Sequence, residues 1–229
     1  VTPAAYCGVT GLRPTYGLVS RRGAMALSWT MDKIGPMARS AEECALILAA
    51  IAGGDSEDPG SAGKSFYYAP EYVRANKDIR VGYAPGDLEL IEDAGVRGAI
   101  ADAYASFRKM GFAMKEVSLA ELPYGTAASV IIGCEATSIF EDLLTSGKID
   151  QLADQNQIAG LKASMDYTAR DYLRAMRVRR MAMEELRKVY MDFDILLAPS
   201  RITVATKISE PLDRASGTTG AVRKERGLR

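Results

Sequence analysis

An α/β fold, with a mixed, mostly parallel sheet flanked by helices, is what this sequence predicts, and three consecutive stretches predict it. IRVGYA at 79–84 alternates apolar and polar residues between flanking charges and Pro85-Gly86, the mark of a half-buried strand. From Asp93 to Met110 the apolar residues Val96, Ile100, Tyr104 and Phe107 recur at helical spacing, and Gly111 stands where a left-handed helix end belongs. FAMKEVSL at 112–119 then alternates again. Strand, helix and strand within ~40 residues make a βαβ unit, whose right-handed crossover leaves its two strands parallel.

The remaining elements follow in chain order. Ser40-Ala41-Glu42-Glu43 has the form of a capping box and opens a helix through CALILAAIA that ends at Gly53-Gly54. That helix is nearly apolar all round, which predicts deep burial. Residues 55–75 are rich in turn formers and read as a surface excursion, the most mobile part of the chain. Tyr124 to Thr145 reads as one helix, apolar early and amphipathic late. A long charged helix from Tyr167 to Tyr190 places Tyr172, Met176, Met183, Leu186 and Val189 on a buried side. Its arginines spread around too much of the circumference to form one stripe, so they read as a solvated, ion-paired surface. DILLAPS at 194–200 is a short continuous apolar run, as in a strand buried on both faces. Residues 208–229 show no periodicity and read as an irregular tail.

Composition narrows the chemistry. With 229 residues, 48% apolar and 25% charged, the chain has the make-up of a soluble globular protein. Its 29 basic residues balance 29 acidic ones, so no overall field favours nucleic acid. Apolar runs such as Cys44 to Ala52 fall short of the roughly 20 residues that cross a bilayer, and a cytoplasmic location is expected. Cys7, Cys44 and Cys134 are odd in number and set among apolar residues, and read as small buried hydrophobes. Histidine is absent. A Ser-His-Asp or Cys-His centre therefore cannot be assembled from these residues, and acid-base work would fall to Asp, Glu, Lys or Tyr.

The densest run of special backbone positions is PAAYCGVTGLRPTYGLVSRRG, with glycines at 8, 11, 17 and 23 and prolines at 3 and 14. Such a segment is either a tight structural crossing or the wall of a site. Followed by MDKIGPMARSAEECALIL, it resembles the second half of the amidase signature, the core shared by bacterial amidases and the A subunit of tRNA-dependent amidotransferases. The resemblance continues through Glu135-Ala136-Thr137, DYLRAMRVRR and FDILLAPS.

That resemblance implies cleavage of a carboxamide to a carboxylate and ammonia or amine through a serine acyl-enzyme. The proton is handled by a second serine on a cis peptide bond and by a lysine, with no metal or organic cofactor. It places all three catalytic residues before Val1, so the expectation is that residues 1–229 form the C-terminal portion of one amidase domain, inactive alone. Ser20, Ser28 and Ser40 sit where the family has no nucleophile. Three residues are carried over as substrate-pocket candidates, each with a plainer alternative. Thr2, just before the proline, either shapes the acyl pocket or is an uninvolved turn residue; lacking an arginine's charge, it favours a neutral or moderately apolar substrate. Asp32 is either near the site or a turn former bonding backbone amides. Glu135 either lines the substrate channel or is an ion-pair partner.

The expected partner is a small amide, with no membrane and no nucleic acid. A sheet lacking strands exposes unpaired edges, so self-association as a homodimer is also expected. Two alternatives stand beside the hydrolase. One is the A subunit of a glutamine-using amidotransferase, disfavoured because ADQNQIAGLKAS, where those proteins hold an arginine pair, offers only Lys162. The other is a non-catalytic α/β scaffold that has lost the serine centre.

Overall fold

The computed structural model describes residues 1–209. The chain opens in a short helix, α1 (Thr2–Cys7), started by Pro3 in its first turn. It then crosses itself: β1 (Thr10–Gly11) pairs antiparallel with β2 (Met37–Ala38), which leads directly into α2 (Ala41–Ile51). The Ser40 capping box is present, the serine hydroxyl accepting from the Glu43 N–H while the Glu43 carboxylate accepts from the Ser40 N–H. Burial of α2 is one-sided. Cys44, Ala45 and Leu48 are buried, whereas Leu46, Ile47 and Ile51 are exposed. The uniform apolarity of the helix set its hydrophobicity and not its surroundings.

Residues 55–75 run without strand or α-helix but are tied down at one end. The Arg21 guanidinium donates through Nε and Nη2 to Asp58, whose other partners are the backbone N–H groups of Arg21 and Gly60. The Ala62 N–H also donates to the Gly17 carbonyl at 2.7 Å.

The predicted βαβ unit follows. β3 (Arg80–Tyr83) leads through the one-turn α3 (Gly86–Glu89) to α4 (Ala94–Lys109), which Asp93 caps by accepting from the Val96 N–H. Gly111, at φ 86°, turns the chain into β4 (Ala113–Glu116). β3 and β4 are parallel, with Val81 opposite Met114.

The stretch expected as one helix from Tyr124 is two, α5 (Tyr124–Ile139) and α6 (Glu141–Thr145), separated at Phe140. α7 (Gln155–Ser164) is capped by Asp154, and α8 (Ala169–Asp192) by a Thr168–Asp171 capping box. β5 (Ile195–Leu197) then joins β3 in parallel, giving the order β4-β3-β5. Val81 in the central strand is fully buried. β5 is an outer strand among the described residues and leaves Ile195 exposed, so the expectation of burial on both faces does not hold. Asp194 ties its start to β3, accepting from the Arg80 N–H, Nε and Nη2 and pairing with Arg74.

Two apolar clusters form around α5. Its early turns bury Ala127 and Ile131 against Ala175 of α8, with Met31, Tyr172, Met176 and Val178 packed alongside. Its end buries Ala136 with Ile149, Ile158 and Leu161. Gly133 makes the approach possible, because a Cβ there would lie 2.8 Å from Ser164 Oγ and 2.9 Å from Tyr167 Cε2. On α8, Met183 is exposed, against the sequence reading, and Ala175 is the buried residue of the helix. Cys44 is buried as expected, Cys134 is half-buried and Cys7 is exposed. Among the described residues no helix is long and apolar enough to cross a membrane, and no group of three or more acidic, cysteine or histidine residues could hold a metal ion. The tail expected from 208 lies, from residue 210 onward, outside the described residues.

Candidate functional site

A glutamate buried in the middle of α5 organises the site. Glu135 is 1% exposed and accepts from four donors: Ser28 Oγ at 2.6 Å, Thr30 Oγ1 at 2.7 Å, Tyr172 OH at 2.9 Å and the Thr30 N–H at 3.2 Å. Burial works to raise its pKa, but the hydrogen bonds from Ser28, Thr30 and Tyr172 outweigh it and hold the carboxyl below its usual range. Arg179, one of the α8 arginines expected to be solvated, turns inward and donates to Thr30 Oγ1 and the Thr30 carbonyl, both at 3.1 Å. Among the described residues Glu135 thus has no direct ion-pair partner. Its charge is met by hydroxyls, with the guanidinium one residue removed.

These bonds fix the segment Ser28–Thr30 from the helix side, and a second set fixes it from the other. The Trp29 carbonyl accepts from Tyr16 OH at 2.7 Å and from Arg21 Nη1 at 2.5 Å. The Asp32 carboxylate accepts from the N–H groups of Leu27 at 2.8 Å and Ser28 at 2.9 Å, closing the turn back on its own start. So held, Trp29 extends over a cleft of about 270 Å³ lined by Cys134, Glu135, Thr137, Tyr167, Thr168, Ala169 and Tyr172 as well.

Little in the cleft is set up for proton transfer. Burial raises the Cys134 thiol pKa, and the Asp171 and Glu135 carboxylates raise it further, so it stays protonated. Burial likewise raises Tyr172, and its hydrogen bond to Glu135 adds to the effect. The cleft supplies a shaped, mostly apolar wall.

Of the three residues singled out in the sequence, only Glu135 lines this cleft. Asp32 bonds backbone amides within its own turn, and Thr2 is exposed on the first turn of α1. Ser20 donates to Asp55 at 2.6 Å, Ser40 caps α2, and Ser28 serves Glu135. Sequence reasoning missed Trp29 and Tyr167 as cleft residues and placed Tyr172 only in the core. The one signal that could have found them was the single tryptophan of the chain, set in a turn-rich loop where packing alone does not call for it.

Comparison with known proteins agrees with this architecture. A family profile described as Amidase matches residues 1–222. The A subunit of the glutamyl-tRNA(Gln) amidotransferase of Syntrophomonas wolfei is 31% identical, over 92% of this chain and 48% of that protein. Among solved structures, a chain from a vestigial protein complex that reveals the evolutionary origins of an s-triazine catabolic enzyme is 28% identical, with a TM-score of 0.76 over 91% of this chain and 45% of its own. The corresponding amidotransferase protein from Thermotoga maritima is 27% identical, with a TM-score of 0.72 over 92% and 47%. The chain spans about half the length of the curated relatives it matches. With the family profile matched along almost its whole length and an α/β architecture shared with these structures, the chain belongs to the amidase family.

Proposed function

We propose that this chain is the C-terminal portion of a cytoplasmic amide hydrolase that converts a carboxamide to a carboxylate and ammonia or amine. The family match along residues 1–222 carries the reading. A serine nucleophile, with a bridging serine and a lysine, would supply the chemistry from positions that the amidase signature puts before Val1. The described residues supply substrate contacts. The absence of histidine fits a lysine-based proton relay.

The complete protein is expected to release ammonia from simple amides, and the 229-residue chain alone to be inactive. Failure of the complete protein to cleave any member of a broad amide panel, or turnover by the 229-residue chain, overturns the reading.

The A subunit of a glutamine-using amidotransferase is the second reading, favoured by the names of the curated relatives. Against it, Lys162 is exposed and paired with Asp150 at 2.6 Å, so the one cation in that stretch is already neutralised. Glutamine-dependent amide formation, together with co-purification of a B-type partner protein, would decide in its favour.

A further inference from the structure

Of the polar side chains lining the cleft, Glu135, Thr137, Thr168 and Tyr172 are already engaged in hydrogen bonds. Tyr172 OH donates to Glu135, whose two oxygens are filled by Ser28, Thr30 and Tyr172. Thr137 Oγ1 donates to the carbonyls of Gly133 and Cys134, and Thr168 Oγ1 donates to Asp171. Glu135 is the one charged side chain among the lining residues. Two exposed aromatic residues border the open space, Trp29 at 41% exposed and Tyr167 at 40%.

An anionic group entering would give up its water without finding a counter-charge among the lining residues. A flat apolar group would lie against the indole and phenol faces, and the cleft is of a size for one ring. The indole's backbone is fixed beforehand. Its carbonyl is held by Tyr16 and Arg21, and its two neighbours are locked on Glu135, so little ordering remains to be done on binding.

We propose that this cleft is a binding subsite for the aryl group of a neutral amide, with Trp29 as the residue that sets the preference. The amide half of that statement rests on the function proposed above; the ring-binding half does not. Trp29 is the only tryptophan in the 229-residue chain, so its emission reports on the cleft directly.

Titration of the chain with benzamide is expected to change that emission saturably, whereas acetamide and the malonamate anion leave it flat. Benzamide affinity, followed by ligand-observed NMR, is expected to fall about five- to tenfold in Trp29→Ala and by less in Trp29→Phe. Trp29 is partly exposed, and circular dichroism with a melting curve checks that both variants fold. A flat benzamide titration, an equal response to malonamate, or unchanged benzamide affinity in Trp29→Ala overturns the subsite. In the complete protein the benzamide-to-acetamide ratio of kcat/KM is expected to drop in Trp29→Ala, and an unchanged ratio also counts against it. Benzamide binding at Trp29 without hydrolysis of any amide would sink the hydrolase reading and leave the subsite standing.

Discussion

Four donors converge on Glu135, and removing their acceptor strands buried hydroxyls rather than simply deleting a contact. Glu135→Ala is expected to destabilise the chain by about 3 kcal/mol in denaturant unfolding. Glu135→Gln keeps the shape and one acceptor oxygen, and is expected to cost about half as much. The pH dependence separates charge from shape. Because the folded-state pKa of Glu135 lies below its ordinary value near 4.5, the stabilisation by its charge is fully present above that value and is lost as pH falls through the folded one. The stability gap between wild type and Glu135→Gln should therefore be widest near neutrality and close on acidification. A gap that does not vary with pH would show that the charge contributes nothing. This residue was visible in the sequence as a carboxylate in an apolar helix. Its partners at Ser28 and Thr30, more than a hundred positions away, were not.

The helices show how one residue type takes opposite values in two places. In α4, a Cβ added at Gly98 meets nothing within 4 Å, so Gly98→Ala should add about 0.5–1 kcal/mol by removing backbone freedom from the unfolded chain. In α5, a Cβ at Gly133 would press on Ser164 and Tyr167, and Gly133→Ala should cost about 1–3 kcal/mol. Paired melting curves test both, and destabilisation by Gly98→Ala or neutrality at Gly133 would contradict the packing described. The start of α2 was legible because caps are local: the Ser40 capping box was readable before any fold was known. The break at Phe140 was not, because α6 turns away to cover Ile149, Ile158 and Leu161, which come later in the chain. Nor did helical spacing reveal that Met183, on the face predicted to be buried, is exposed.

At the scale of the whole molecule, the Arg21–Asp58 pair fastens the excursion at 55–75 to the loop that carries Trp29. The bonds from Arg21 hold the Asp58 carboxyl well below the usual carboxylate range, aided by the backbone N–H groups of Arg21 and Gly60, so the tie persists until strongly acid pH. Asp58→Ala is expected to raise proteolytic cleavage within 55–75 several-fold under native conditions and to alter Trp29 emission; protection equal to wild type would show that the segment is held by other contacts. The sequence by itself determined the α/β class, the parallel βαβ unit and the family, because these depend on periodicity and short motifs, all written within a few tens of residues. Only the tertiary structure decided which side of α2 is covered, that β5 is an outer strand, that Arg179 turns inward, and that Ser28, Thr30, Glu135 and Tyr172 form one network beneath Trp29. Burial and hydrogen-bond partnership belong to surfaces brought together across the chain, and no local pattern records what a side chain will meet there.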